Sequence, residues 1–229
     1  MKDLKTFRKQ WSSDQKKLRS MLTSGDQIEE SRELFYSLHG VLHSKGVSES
    51  DSWSYADQVF LGISQDQLRV IPKNHQHSLI WILWHISRIE DVTMNILVAD
   101  EIQVYLQEGW IQELNSSIHH TGNDIDNSAV AGLSQQVNIN QLFMYRDQVG
   151  RQTRRIVSAL SEQDLAQKVS RSRLDRILTE GAVLENSNEL IEYWSKKKIF
   201  QLLLMPPTRH LLVHLNEGHD LRKSLKAKS

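Results

Sequence analysis

Two histidines four residues apart give this sequence its clearest capacity for metal chemistry. They are His210 and His214, in the run T-R-H-L-L-V-H-L-N-E-G-H at 208–219. On an α-helix this spacing stacks two side chains on one face about 5–6 Å apart, so both imidazoles can reach one ion. Glu217 falls within one turn on the same face, whereas His219 points to the opposite side and is predicted to be solvated.

A third histidine, His85, lies in the apolar run W-I-L-W-H-I-S-R-I-E-D at 81–91. A histidine on such an apolar face must be neutral and hydrogen-bonded, or it must be a ligand. Three histidine ligands leave a fourth position open to water or substrate, as in catalytic metal sites. We therefore predict a divalent metal site of His85, His210 and His214, with Glu217 as an orienting residue or general base. The alternatives are that His85 is a hydrogen-bonded core residue that binds no metal, and that Glu217 is an exposed residue one turn past the site.

The remaining histidines are predicted to lie outside this site. His39 and His43 are also four apart, but their helical face includes Arg32 and Tyr36, which predicts a boundary or exposed face. Four more sit in polar or helix-breaking stretches and are predicted to be solvated: His75, His77, His119 and His120. Two histidines on one helix cannot bind opposite faces of one porphyrin, which disfavours haem.

The composition excludes several other classes of site and partner. The 229 residues include 28 Lys and Arg, 28 Asp and Glu, and no Cys. Disulfides, thiolate ligands and cysteine nucleophiles are therefore absent, and any metal must be held by His, Asp or Glu. Zero net charge gives no broad basic field, so we expect no nucleic-acid partner. The longest apolar run, 79–84, is far short of the roughly 20 residues of a membrane span, so we expect a cytoplasmic protein.

Apolar residues recur at intervals of three and four, which predicts an all-α protein. The predicted helices cover about 3–22, 27–45, 52–61, 77–99, 139–160 and 207–226. Two long connections, 101–137 and 161–205, hold shorter helical pieces. Four long helices joined by long connections predict a four-helix bundle over residues 27–229, with residues 1–26 as an N-terminal helical extension.

The runs W-H-I-S-R-I-E-D at 84–91 and P-P-T-R-H-L-L-V-H-L-N-E at 206–217 together resemble the DinB-like superfamily. The resemblance implies a four-helix bundle with a long crossover connection. It also implies a divalent metal held by one histidine of the second core helix and an H-x-x-x-H pair on the last, here His85, His210 and His214. Many members carry N-H-x-x-H-H-R-G-Q where this chain reads R-H-L-L-V-H-L-N-E, with Val213 in place of the extra histidine. The reaction of other members therefore need not transfer.

The resemblance implies a metal-dependent enzyme using Zn²⁺ or Ni²⁺, acting on a small-molecule substrate and by analogy a homodimer. Related bundles include S-transferases and isomerases that depend on a low-molecular-weight thiol. With no Cys in the chain, such a thiol would be a cosubstrate. Two alternatives stay open: a metal-dependent hydrolase, and a non-catalytic metal-binding bundle in stress response or protein interaction. Arg88 and Asn216 fit either substrate contacts or a helix-flank salt bridge and a cap.

Overall fold

Five long helices form where apolar residues recur at helical spacing. They are α1 (Leu4–Ser24), α2 (Ile28–Gly40), α3 (Leu79–Asp91), α4 (Ile139–Ala159) and α5 (Leu211–Lys226). A computed structural model describes residues 3–48, 53–107 and 109–226, and no β-strand occurs among them. The all-α prediction is therefore confirmed. No helix in these ranges is long and apolar enough to cross a membrane.

Shorter helices fill the connections between the long ones. Their bounds are Lys45–Ser48, Tyr55–Phe60, Gln65–Arg69, Val104–Leu106, Trp110–Glu113, Asn127–Gln136, Glu162–Ala166, Arg171–Thr179, Asn188–Ser195 and Ile199–Leu203. The predicted start of one piece at residue 52, and the ends of the predicted extension and bundle at 1–2 and 227–229, lie outside the described residues.

Capping residues explain the limits of α1. The Asp3 side chain accepts hydrogen bonds from the backbone N–H groups of Lys5 and Thr6, which satisfies two orphan donors at the start of the helix. Gly25 ends it with φ at 79°, a left-handed conformation that glycine adopts without a Cβ clash. Helix α1 therefore ends in the interval between the predicted helical segments 3–22 and 27–45.

Helix α2 ends at Gly40, earlier than the predicted residue 45. The following carbonyl groups are used elsewhere: that of Val41 accepts from the Tyr55 N–H at 2.8 Å, and that of His43 accepts from the Ser54 hydroxyl at 2.5 Å. These contacts tie the end of α2 to the next segment of chain, so tertiary hydrogen bonds replace the continued helix.

Helix α3 runs through the centre of the fold, and every one of its residues is buried. The Ser78 side chain caps it by accepting from the Trp81 N–H. It continues as a π-helix, Val92–Ala99, which closes at Asp100 in a left-handed conformation. An apolar surface on all sides predicts such a central helix.

The long helices pack as a connected set around α3. Helix α3 contacts both α4 and α5, α2 contacts α4, and α1 packs along α2. Classification as a four-helix bundle with a crossover, and the division at residue 26, stay predictions.

The approach to α5 differs from a regular helix. Met205–His210 forms a π-helical turn that leads directly into α5. Pro206 and Pro207 have no N–H to donate, which disrupts the α-helical ladder. The Thr208 hydroxyl donates to the Leu203 carbonyl at 2.9 Å across the turn. His210 therefore ends the irregular turn, and His214 lies one turn into α5.

Candidate metal centre

The buried His85 ring is fixed on α3 by two neighbours. Its Nδ1 lies 2.8 Å from the Thr121 carbonyl, which can only accept, so Nδ1 carries the proton. The Trp81 ring stacks nearly parallel to it, with centroids 4.7 Å apart. Burial and the neighbouring His214 lower the pKa of His85 to about 3. The imidazole is therefore neutral, and its Nε2 presents a lone pair.

His210 and His214 meet His85 at the junction of α3 and α5. The Nε2 atoms of His85 and His210 are 3.1 Å apart. The His214 ring centroid lies 4.8 Å from that of His85 and 4.6 Å from that of His210. One ligand nitrogen from each of the three lies within 4.8 Å of the others. We call this group the three-histidine site.

Glu217 fixes the His214 ring by accepting a hydrogen bond from its Nδ1 atom. Its Oε2 accepts from His214 Nδ1 at 2.9 Å, and its Oε1 accepts from His77 Nδ1 at 2.6 Å. Burial alone would raise the pKa of Glu217, but the hydrogen bonds from His214 and His77 outweigh burial and lower it to about 2. The carboxylate therefore stays ionised, and its two oxygen atoms are both engaged.

His77 belongs to the surroundings of the site, and the prediction that it is solvated is wrong. Its side chain is 21% exposed, and its ring stacks on Trp81 at 3.7 Å with an interplanar angle of 7°. His77, Trp81 and His85 thus form one continuous stack. The sequence signal is the four-residue spacing of His77, Trp81 and His85. It places His77 on the same helical face as the other two, just before the first residue of α3.

The donor set fits a divalent metal. The proton on Nδ1 of His85 and the hydrogen bond from Nδ1 of His214 leave the Nε2 atom of each ring free to coordinate. Metal–nitrogen bonds of about 2.0–2.1 Å in a tetrahedron separate ligand atoms by about 3.3 Å, close to the Nε2–Nε2 distance between His85 and His210. The tautomer of His210 is not fixed in this way, because its buried Nδ1 has no hydrogen-bond partner among the described residues.

A second group of buried polar residues corrects the prediction for His39 and His43. Both side chains are 0% exposed, so a boundary or exposed face is wrong. Their Nε2 atoms lie 2.8 and 3.0 Å from the two carboxylate oxygens of Glu90, and Arg146 Nη1 donates to Glu90 Oε2 at 2.6 Å. We call these four residues the Glu90 cluster.

The charges of the Glu90 cluster are already balanced. Burial would raise the pKa of Glu90, but His43, Arg146 and His39 hold it well below its usual range. Burial lowers the pKa of both histidines, so they are neutral donors to the carboxylate. The cluster therefore consists of one buried ion pair between Glu90 and Arg146, with two neutral imidazoles.

Although His39, His43 and Glu90 also have the composition of a metal site, their surroundings disfavour one. A divalent cation would compete with Arg146 for the carboxylate and would bury further positive charge. Helix α4 also closes one side, because a Cβ on Gly150 would lie 2.5 Å from His43 Nδ1. We therefore assign a structural role to this cluster.

Arg88 and Asn216 make structural contacts. Arg88 is buried and donates to Asp91 and Tyr145, each at 3.0 Å. Asn216 accepts from the Tyr55 hydroxyl at 2.9 Å. These bonds favour the salt-bridge interpretation of Arg88 and give Asn216 an interhelix contact.

The predictions of solvent exposure for the other histidines have mixed outcomes. His119 is exposed, while three others are only half-buried: His75, His120 and His219. His219 lies beside Tyr55, with ring centroids 6.2 Å apart, rather than fully in solvent.

Comparison with known proteins gives one family and no curated relative. No curated protein matches the chain. The sequence pattern of the DinB superfamily matches residues 50–185, more than half of the chain. The matched region includes His85 and ends before His210 and His214, so the last two ligand candidates depend on the geometry described above. The chain belongs to the DinB superfamily.

Proposed function

We propose that the chain is a metal-dependent enzyme whose divalent metal is held by His85, His210 and His214. The observation that carries the proposal is the convergence of three imidazoles from α3, the π-helical turn before α5, and α5 itself. In His85 and His214 the proton is held on Nδ1, away from the shared space. A neutral histidine pointing its Nε2 lone pair into a shared space is the form in which imidazole binds metals. Zn²⁺ and Ni²⁺, the metals that the family resemblance implies, are both among those that suit imidazole ligands.

A divalent metal held by three histidines would supply Lewis acidity towards a small-molecule substrate or a low-molecular-weight thiol at the fourth position. The chain supplies the orientation. The Thr121 carbonyl fixes the tautomer of His85, and the Glu217 carboxylate fixes that of His214. Trp81 covers one face of the His85 ring.

Glu217 acts in this proposal as a positioning residue. Both of its carboxylate oxygens already accept hydrogen bonds, from His77 and His214. A general base needs an oxygen that can approach the proton it removes. The geometry therefore supports orientation of His214 over proton abstraction, and His77 in turn fixes the Glu217 carboxylate.

For the reaction, we propose thiol-dependent transfer or isomerisation, with the thiol as cosubstrate. This choice rests on the family resemblance. Because the chain has no Cys, the thiol would come from a cosubstrate. Metal-dependent hydrolysis and non-catalytic metal binding are the competing outcomes of the test.

Metal analysis of the chain purified without a histidine tag tests the metal site. We expect about one equivalent of metal in the native chain and a large loss in His210→Ala. The matched control is His75→Ala, which removes a half-buried histidine outside the site and should keep its metal. Unchanged metal content in His210→Ala would show that the ligand assignment is wrong.

Cobalt substitution tests the open position. A low-molecular-weight thiol that reaches the metal should change the visible d–d bands of the cobalt form and add a sulfur-to-cobalt charge-transfer band in the near ultraviolet. A spectrum that is insensitive to thiols but sensitive to small oxygen anions would favour the hydrolase. A spectrum sensitive to neither would support the non-catalytic alternative.

A further inference from the structure

A second recessed surface lies between α1 and the segment that precedes α5. Its cavity has a volume of about 660 Å³, within the range of about 300–1,000 Å³ typical of small-molecule sites. None of the three site histidines lines it. The residues that characterise it are four cations and two aromatics: Lys16, Arg19, Lys197, Arg209, Tyr193 and Phe200. We call this surface the cationic groove.

The charge of the cationic groove is unbalanced. Within the part of the chain that the structure describes, no acidic residue lines it, and none of its four cations makes an ion pair. The whole chain nevertheless has equal numbers of acidic and basic side chains. A concave surface with one sign of charge focuses the electrostatic potential and concentrates ions of the opposite sign.

The walls of the groove are joined by a direct hydrogen bond. The Gln15 amide nitrogen on α1 donates to the Leu204 carbonyl at 2.8 Å. This bond spans 189 positions of the sequence and fixes the separation of the two walls. The groove is therefore formed before any ligand arrives, which lowers the ordering cost of binding.

The groove also offers an apolar surface. Tyr193 is 38% exposed, and the Lys197 ammonium lies 4.1 Å from the centroid of its ring. Phe200 is half-buried in the same wall. A flat ring placed here would contact aromatic carbon while its acidic groups face the cations.

We propose that the cationic groove binds small organic anions that carry two or more acidic groups on a flat aromatic body. The site is separate from the three-histidine site and needs no metal. Phosphate, sulfonate and carboxylate groups share the chemistry that four lysine and arginine side chains recognise.

Naphthalene trisulfonate is a suitable probe because it combines three acidic groups with a flat ring and is a poor metal ligand. Isothermal titration should show saturable binding that weakens as salt is added, since the ionic contacts are screened. Sulfate, which lacks the ring, should bind more weakly by at least about tenfold. If sulfate binds as well as the trisulfonate, the proposed ligand class is wrong.

Matched charge variants locate the binding. Lys16→Gln combined with Arg209→Gln should weaken trisulfonate binding by about tenfold or more, because two groove cations are lost. Lys9→Gln combined with Lys17→Gln removes the same charge from exposed positions of α1 outside the groove, and should change affinity by less than about twofold. Equal weakening in the two double variants, or no saturable binding by the native chain, would overturn the proposal.

Discussion

Two groups of histidines in this protein are built from similar residue types and suit different tasks. In the three-histidine site the Nε2 atoms of His85 and His210 face each other, and one ring nitrogen of His214 lies within 4.8 Å of the ligand atoms of both. The Glu90 cluster turns the Nε2 atoms of His39 and His43 onto a carboxylate that Arg146 already neutralises. The residue types therefore do not distinguish a ligand set from an ion-pair network. What distinguishes them is the atom that each imidazole ring presents and the charge that is already in place around it.

The largest expected effect comes from the Glu90 cluster. Glu90→Gln leaves the buried Arg146 guanidinium without its counter-charge and should destabilise the fold by about 3–5 kcal/mol. Chemical denaturation measures this loss. Glu217 is 32% exposed, so solvent screens its contacts with His77 and His214. The same change there should cost less, about 1–2 kcal/mol.

The Glu90→Gln variant should still bind one equivalent of metal when folded, because the three-histidine site is unchanged. Loss of metal at full folding would mean that the Glu90 cluster is the metal site.

The second-largest expected effect is a loss of folding stability, caused by the close packing of the Glu90 cluster against α4. Gly150→Ala would place a Cβ 2.5 Å from His43 Nδ1, and overpacking of this kind should cost about 2–3 kcal/mol. Gly132→Ala is the matched control, since a Cβ there meets nothing within 4 Å. The control should be neutral or stabilising by up to about 1 kcal/mol. Equal unfolding free energies for the two variants would contradict the close approach.

At the three-histidine site the expected effect is on metal affinity. Glu217→Gln weakens the orientation of His214 and should reduce affinity by about 10–100-fold, as loss of an outer-sphere partner does. Competition with a chromophoric chelator measures the change. His77→Ala should act in the same direction and more weakly, because the His77 hydrogen bond goes to Glu217 and not to a site histidine. An affinity unchanged in both variants would remove Glu217 from the proposed site.

The smallest expected effect is on how the free energy of unfolding depends on pH. Burial lowers the pKa of His39 from 6.5, so below about pH 6.5 the unfolded chain binds a proton that the folded chain does not. Stability should therefore fall as pH decreases through this range. His39→Gln keeps a donor for Glu90 and removes the titration, which should flatten the slope by up to about 1.4 kcal/mol per pH unit. Parallel pH profiles of unfolding free energy would contradict a neutral, buried His39.

The sequence predicted the helices well because their apolar spacing is a local property. The juxtaposition of His85 with His210 and His214 was also predictable, from the four-residue spacing and the family resemblance. The burial of His39 and His43 was not predictable from the sequence. Their face carries Arg32 and Tyr36, whose polar groups bond to backbone carbonyls of α4 and the residue after it, so polarity there did not mean exposure.

His77 shows a second limit of the sequence. It lies just before α3 in a polar stretch, and its partners, Trp81 and Glu217, are four and 140 positions away. The first contact is visible as helical spacing. The second depends on how α5 packs against α3, which local pattern does not encode.

The central claim is that metal binds at the three-histidine site and not at the Glu90 cluster. Anomalous diffraction from zinc-loaded crystals tests it most directly. We expect one peak, with nitrogen atoms of His85, His210 and His214 at about 2.0–2.1 Å. A peak among His39, His43 and Glu90, or no peak at the three-histidine site, would contradict the account.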